Sequence, residues 1–169
     1  IAPKTEAGAV AINLTSAAEV DAALEKMKVS VSRYKPGTAI AKVLIEKMVS
    51  GVVAELIVGV KRDPQFGLAL VIGAGGVLVE MVQDSTLLLL PTDRAAIEHA
   101  VRSLKIAKVL QGYRGRPAGD IAAAVDAIAA VARYAEAYRD DLLELDVNPL
   151  MVLEQGAVAV DALIVLAEG

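Results

Sequence analysis

Three oxygen-bearing side chains alternate along one short apolar stretch of the sequence. Glu144, Asp146 and Asn148 are spaced two residues apart, and the residues between them are aliphatic. On a β-strand this spacing places all three side chains on one face. Their oxygens suit a hard cation such as Mg²⁺, which takes few protein ligands and keeps phosphate or water oxygens. Asp161 joins them if its own strand pairs with theirs. The alternative is a solvated polar face on an edge strand.

A glycine-rich segment, Gly73-Ala-Gly-Gly76, follows an apolar run and offers a second kind of chemistry. Glycine has no Cβ, so consecutive backbone N–H groups can converge on an anion such as phosphate. The segment imitates a dinucleotide-binding fingerprint but fails it. The third glycine of that pattern falls at Leu78, and the following residues predict a strand rather than a helix. A tight hairpin or a β-bulge is the structural alternative.

The remaining candidates for chemistry are arginines and a single histidine. Arg62 follows an apolar run and precedes an Asp-Pro turn, which would hold its guanidinium where it can contact phosphate. An ordinary surface loop explains Arg62 equally well, and we favour that explanation for Arg114 and Arg116. His99 lies in a predicted helix, so packing or exposure is its expected role. The chain has no cysteine, which excludes cysteine nucleophiles, disulfides and thiolate metal sites.

The composition indicates one folded domain, or two small lobes that share a site. The 169 residues are 56% hydrophobic and 22% charged, which supplies enough apolar material for a core. A net charge of −4 argues against binding of nucleic acid by electrostatics. The longest apolar stretches are short and broken by glycine, so we expect no membrane span and see no signal peptide. We expect a cytoplasmic protein, and the first residue, Ile1, indicates part of a longer chain.

Periodicity predicts the elements that position these residues. Alternation over residues 10–14, and elsewhere runs of aliphatic and β-branched residues between breakers, predict strands over residues 10–14, 41–48, 52–60, 66–72, 77–82, 86–90, 142–147, 150–154 and 157–164. A capping box at Ser16 and Glu19 opens one predicted helix. Asp93 and Asp120 begin two more, with a short helix over residues 106–111 between them. Strands and helices mix without a strict βαβ rhythm, which predicts an α+β fold with a mixed, mostly antiparallel sheet and flanking helices.

Five motifs then carry a resemblance to a known family. They are Val58–Gly67, Gly73–Glu80, Gly112–Pro117, Glu144–Leu150 and Ala159–Ala162, and they occur in the family's order. Together they resemble the ATP-grasp domain of NDP-forming (ADP-forming) acyl-CoA synthetases, a relative of the succinyl-CoA synthetase β subunit. The resemblance covers nearly the whole chain. It implies the ATP-grasp fold, with residues 1–40 as the remainder of a first lobe and residues 41–169 as the second lobe.

The resemblance also implies site residues, with ATP or ADP and Mg²⁺ as ligands. The hinge whose backbone would meet adenine corresponds to Glu46, Lys47, Met48 and Val49. The residues that would approach ribose or phosphate are Glu55, Gly73, Gly75 and Gly76. The Mg²⁺ ligands would be Asp146, Asn148 and Asp161. Arg62 and Glu80 would be catalytic, Arg62 by stabilising phosphates. This set fits phosphoryl transfer, which depends on positioning and charge neutralisation.

The reaction implied by the resemblance interconverts acyl-CoA, ADP and phosphate with the free acid, CoA and ATP. A phosphohistidine on a CoA-ligase domain, in another chain or another part of the polypeptide, would carry the phosphoryl group. The chain departs from the family pattern at Pro3, which occupies the place of a histidine, and at Ala9, which replaces a glycine. The nucleotide-binding lysine of the first lobe would precede Ile1. The alternatives are a non-catalytic, synthetase-like module of a protein lysine acetyltransferase and an interaction domain that binds no nucleotide.

Overall fold

The chain forms two compact units, which are described separately. The computed structural model describes residues 4–76 and 83–167, and the units comprise Ile1–Ser50 and Gly51–Gly169. The predicted division into two ATP-grasp lobes after residue 40 lies earlier in the chain and stays a prediction. The strand predicted over residues 77–82 lies outside the described residues.

The first unit is built around helix α1 (Ala17–Tyr34). Its N-terminus has the predicted capping box. The Ser16 hydroxyl accepts from the Glu19 N–H at 3.3 Å, and the Glu19 carboxylate accepts from the Thr15 N–H at 2.6 Å. The first bond satisfies an amide that the first helical turn leaves without a partner, and the second holds the chain just before the helix. The helix predicted from Ser16 is therefore confirmed, and it ends at Tyr34.

Two strands predicted in this unit are wrong. Residues 10–14 and 41–48 are irregular backbone. Their apolar residues match a strand pattern, but the side chains do not face a core, since Ile12 is 64% exposed and Leu44 is 81% exposed. A stable strand needs a neighbouring strand and a buried face, and the described residues of this unit provide no strand for it to pair with. The tertiary context therefore overrides the local pattern.

The second unit is an antiparallel sheet with helices against one face. Its strands are β1 (Val52–Asp63), β2 (Gly67–Ala74), β3 (Ser85–Leu89), β4 (Leu142–Leu153), β5 (Ala157–Ala159) and β6 (Ala162–Leu166). Within the described residues the order is β3-β2-β1-β4, and β5 and β6 pair in succession along the outer edge of β4. These pairings are antiparallel. The predicted α+β class with a mostly antiparallel sheet is therefore confirmed.

Helices α2 (Arg94–Ser103), α3 (Ala107–Leu110) and α4 (Ile121–Ala137) belong to the same unit. The two longer helices begin at their predicted caps, because Asp93 accepts from the Ala96 N–H at 2.7 Å and Asp120 from the Ala123 N–H at 2.9 Å. The core between sheet and helices includes alternate residues of β1 and β4, namely Leu56, Val58, Val60, Leu145, Val147 and Leu150. Among the described residues, no helix is long and apolar enough to cross a membrane.

Strand β4 departs from the prediction in a way that matters for the site. It runs unbroken where we predicted two strands, and it contains an extra residue at Asn148–Pro149. Leu56 of β1 pairs with Leu150, whereas Val58 pairs with Val147, so β4 uses one more residue than β1 across this point. This is a β-bulge. The final predicted strand, residues 157–164, is correspondingly divided into β5 and β6.

Candidate nucleotide and metal site

The face of the sheet opposite the helices, which we call the open face, carries polar residues of β1 and β4. Gly59 alternates with buried residues of β1 and pairs with Asp146, while Lys61 pairs with Glu144. A Cβ at Gly59 would lie 3.8 Å from the Asp146 Oδ1. The Lys61 Nζ lies 3.9 Å from the Glu144 Oε1. The structure therefore places Glu144 and Asp146 on one face of the sheet, as their spacing predicts.

Asp146 lies in surroundings that disfavour its charged form. Burial raises the pKa of this carboxyl group, and the negative charges of Glu144 and Asp161 raise the pKa further. Asp161 itself lies between β5 and β6, which both pair with β4. Negative charge that is crowded and partly buried is what a divalent cation would neutralise.

The bulge brings Asn148 next to Asp161. The Asn148 N–H donates to the Asp161 carbonyl at 3.1 Å, and the Val160 N–H donates to the Pro149 carbonyl at 3.0 Å. No cluster of three or more His, Cys, Asp or Glu side chains within residues 4–76 and 83–167 is arranged to enclose a metal ion. A smaller set of carboxylate and amide oxygens fits Mg²⁺, which uses few protein ligands together with phosphate and water.

The glycine segment Gly73–Gly76 lies at the end of β2, against β1. The Gly75 N–H donates to the Glu55 carbonyl at 2.7 Å. A Cβ at Gly75 would lie only 2.9 Å from the Glu55 Cβ, so this position has no room for a side chain. Gly76 has a φ of +90°, which L residues rarely adopt, and its Cβ position is 3.6 Å from the Glu55 Oε2. The structure therefore brings Glu55 together with the predicted phosphate-binding glycines.

The glycine segment and the acidic residues flank the same strand, β1, because β2 pairs with one of its edges and β4 with the other. On β1, the Glu55 carbonyl bonds to the glycine segment. Gly59, which pairs with Asp146, lies four residues further along β1. At about 3.3 Å per residue, the two positions are roughly 13 Å apart. A single ligand that contacts both must be elongated.

Asp84 also contacts the glycine segment, although its sequence pattern did not predict it as a site residue. Its carbonyl accepts from the Ala74 N–H at 2.8 Å, within the glycine segment. Its two carboxylate oxygens accept from the N–H groups of Lys105 and Ile106, each at 2.8 Å. In the sequence the only signal is an acid placed shortly before a strand, and many turns share that pattern.

Arg62 lies towards the opposite end of β1. It follows Glu55 by seven positions, which corresponds to roughly 23 Å along an extended strand. Its guanidinium donates to the carbonyl of Arg139 and to the carbonyl of Leu142, the latter at 3.1 and 3.2 Å. Through these bonds Arg62 connects β1 both to the segment after α4 and to the first residue of β4. The phosphate-stabilising role of Arg62 stays a prediction.

The predicted adenine hinge lies in the first unit. Its residues are irregular, with Glu46, Lys47 and Met48 exposed and Val49 partly buried. A cavity of about 120 Å³ lies between this segment and the apolar face of α1. Its lining includes Leu14, Leu24, Met27, Val43, Glu46 and Met48. The adenine contact stays a prediction. Glu80, the other predicted catalytic residue, lies outside the described residues, as does Pro3.

The chain resembles known proteins over nearly its whole length. Residues 1–166 match the ATP-grasp domain family. The chain belongs to this family. A similar ATP-grasp structure is the dinucleotide-forming acetyl-coenzyme A synthetase 1 of Ca. Korarchaeum cryptofilum in complex with coenzyme A, Ca-AMPCP and HgCl⁺. It has a TM-score of 0.88 and 35% identity, over 98% of this chain and 72% of that chain. A structure of the same protein with coenzyme A and Mg-AMPPCP has a TM-score of 0.80 and 32% identity, over 98% and 73%.

Two curated relatives show how much of a longer protein this ATP-grasp domain matches. The β subunit of ADP-forming acetate–CoA ligase II from Pyrococcus furiosus is 34% identical over 165 residues, covering 96% of this chain and 70% of the subunit. Trans-feruloyl-CoA synthase from an unidentified prokaryote is 38% identical over 165 residues, covering 96% of this chain and 23% of the synthase. The chain therefore spans most of the separate β subunit but less than a quarter of the longer synthase.

Proposed function

We propose that this chain is the nucleotide-binding part of an NDP-forming acyl-CoA synthetase. Such a ligase interconverts acyl-CoA, ADP and phosphate with the free acid, CoA and ATP. The observation that carries the proposal is the open face of the sheet. There a glycine segment bonded to Glu55 and an oxygen-rich set around Asp146 lie on either side of one strand, β1. The relatives named above, which include a CoA ligase subunit and a CoA synthase, support this choice.

The residues of the open face would bind and orient the nucleotide. The glycine segment holds phosphate oxygens at Gly76, because the Gly75 N–H already donates to the Glu55 carbonyl, and the Glu55 carboxylate accepts from a ribose hydroxyl. The oxygens that hold Mg²⁺ come from Asp146, Asn148 and Asp161. The ion, when bound, neutralises charge on the phosphates, and positioning with charge neutralisation is most of what phosphoryl transfer requires.

The base of the nucleotide would be held by the first unit. The backbone of Glu46–Val49 meets the adenine edge, and the apolar cavity beside α1 accommodates the flat ring, since such pockets are mostly apolar with a few polar groups. Substitution of the apolar residues that line this cavity is therefore expected to weaken the binding of adenine nucleotides more than the binding of pyrophosphate.

A partner domain would supply the phosphohistidine and the acyl and CoA sites. The only histidine of this chain, His99, is exposed on α2, one of the helices that pack against the other face of the sheet. In the Korarchaeum synthetase, a phosphohistidine segment points towards the nucleotide-binding site. We propose that the phosphohistidine likewise comes from a partner domain here, while this chain binds the nucleotide. We also propose that the protein acts in the cytoplasm. The named relatives give no support to the alternative of an acetyltransferase module.

Calorimetric titration with ADP and ATP, each with and without Mg²⁺, tests the proposal. The parent chain is expected to bind saturably and in a Mg²⁺-dependent manner. The double variant Asn148→Ala with Asp161→Ala is expected to lose at least about tenfold in Mg-nucleotide affinity while keeping its fold, because it removes two of the metal ligands. Asp140→Asn, which also removes one negative charge from an exposed position of the second unit, is the matched control.

Three outcomes distinguish the parts of the proposal. Equal Mg-ATP binding by the double variant and the parent would refute the metal assignment. Loss of affinity in the Asp140→Asn control as well would indicate a general effect of charge. No binding by the parent, with an unchanged melting temperature in Mg-ATP, would favour an interaction domain, because a ligand selective for the folded state must stabilise it.

A further inference from the structure

Two backbone amides hold the side chain of Asp84, which lies outside the helices and strands. Its Oδ1 accepts from the Lys105 N–H and its Oδ2 from the Ile106 N–H, both at 2.8 Å. These residues immediately precede helix α3. Hydrogen bonds to an ionised carboxylate are stronger than bonds between neutral groups. Two of them, made to adjacent backbone amides, therefore fix Asp84 relative to α3.

The main chain of Asp84 in turn contacts the glycine segment. Its carbonyl accepts from the Ala74 N–H at 2.8 Å. The same carbonyl oxygen lies 3.2 Å from the position that a Cβ at Gly73 would occupy. On the other side of the segment, the Gly75 N–H donates to the Glu55 carbonyl at 2.7 Å. Adjacent amides of the segment are therefore held by two different elements.

We propose that Asp84 is a positioning residue, which sets where the glycine segment lies by tying it to the start of α3. Glycines have no side chains by which packing can hold them, so backbone contacts must determine their position. Gly73 and Ala74 pair with β1 as the last residues of β2. In addition to that pairing, one contact comes from β1 at Glu55, and another comes from Asp84, whose own position is fixed by its carboxylate. The inference rests on the proposed function, in which this segment meets the nucleotide phosphates.

The structure supplies a matched control in Asp120. Its carboxylate also accepts from two backbone amides, those of Ala123 and Gly156, each at 2.9 Å. Asp120 begins α4 and contacts the turn between β4 and β5, and none of these bonds involves the glycine segment. Replacement by asparagine has the same consequence at both sites, because the amide keeps one acceptor oxygen and turns the other into a donor.

Residue-resolved hydrogen exchange by NMR tests the positioning directly, without nucleotide. In Asp84→Asn the amides of Ala74 and Gly75 are expected to exchange about tenfold faster or more, the effect of losing one bond to a charged acceptor. In Asp120→Asn the exchange of these two amides should remain within about twofold of the parent. Unchanged protection of Ala74 and Gly75 in Asp84→Asn would overturn the proposal.

Titration with Mg-ADP tests the consequence for binding. Asp84→Asn is expected to weaken the affinity at least about fivefold at a temperature where both variants are fully folded, and Asp120→Asn should leave it unchanged. A purely structural role would instead lower the melting temperature of both variants and leave both affinities equal, which would overturn the proposal. Absence of binding by the parent chain would refute the proposed function, while the exchange data would still decide whether Asp84 holds the segment.

Discussion

Replacing Gly75 with alanine tests whether the glycine segment packs directly on β1. The φ of Gly75 lies outside the left-handed region, so the backbone conformation itself would accept alanine. Space is the obstacle. The new Cβ would lie 2.9 Å from both the Cβ and the carbonyl carbon of Glu55, and 3.0 Å from its oxygen. Two of these atoms belong to the backbone of a central strand, so the glycine segment must move.

The size of the effect follows from these contacts. Forcing a methyl group into filled space costs about 1–3 kcal/mol. The displacement would also weaken the 2.7 Å bond from the Gly75 N–H to the Glu55 carbonyl, a loss of about 0.5–1.5 kcal/mol. We therefore expect Gly75→Ala to lower the free energy of unfolding of the second unit by about 1.5–4.5 kcal/mol, the sum of these two costs.

Urea unfolding at 25 °C, followed by far-ultraviolet circular dichroism, measures this difference. Gly59→Ala is the control, because its Cβ would make only ordinary contacts at 3.8 Å on the open face of the same sheet. That variant is expected to remain within about 0.5 kcal/mol of the parent. Equal midpoints and slopes for the two variants would show that the segment moves away from β1 at little cost, and the close packing argued above would be refuted.

Two further substitutions address the charged residues. The pKa of Asp146 is raised in the folded chain, so folding favours the protonated form of this carboxyl group. The resulting stabilisation of the folded state is complete below the ordinary pKa of 3.8 and is lost as the pH rises through the raised pKa. Asp146→Asn should therefore stabilise the ligand-free chain at pH 7 by under about 1 kcal/mol and have little effect at pH 3. Urea unfolding at the two pH values measures this, and a variant less stable than the parent at pH 7 would contradict it. Arg62→Lys should destabilise the second unit by about 1 kcal/mol, because an ammonium cannot reproduce the planar fork that donates to the Arg139 and Leu142 carbonyls. Unchanged Mg-ADP affinity in that variant would assign Arg62 to folding, whereas a large loss would support its phosphate role.

The sequence was informative wherever a local interaction determines the structure. Ser16, Asp93 and Asp120 begin helices because short polar side chains satisfy nearby amides, and that pairing needs only the next few residues. The strands β1 and β4 were predicted from runs of aliphatic residues, and the two-residue spacing of Glu144 and Asp146 placed both on one face. Both kinds of inference succeed because the physical cause lies within a few residues of the pattern.

Features that depend on distant residues were missed. The apolar patterns over residues 10–14 and 41–48 predicted strands, but the exposed side chains there have no sheet to join among the described residues of the first unit. The role of Asp84 depends on Lys105 and Ile106, more than twenty positions away, and nothing in its neighbourhood indicates that contact. The bulge at Asn148 likewise requires the register against β1, which one strand alone does not specify.

The bulge at Asn148–Pro149 limits how the length of β4 can vary. Val147 before the bulge and Leu150 after it both face the core, although they are three positions apart rather than two or four. A residue inserted or deleted elsewhere in β4 would turn every side chain beyond it to the opposite face, exposing aliphatic residues and burying acids. In chimeras with related domains, segments should therefore be exchanged only when they are aligned on this asparagine and proline. Changes of length belong in the turn between β4 and β5, where they leave the pairing with β1 intact.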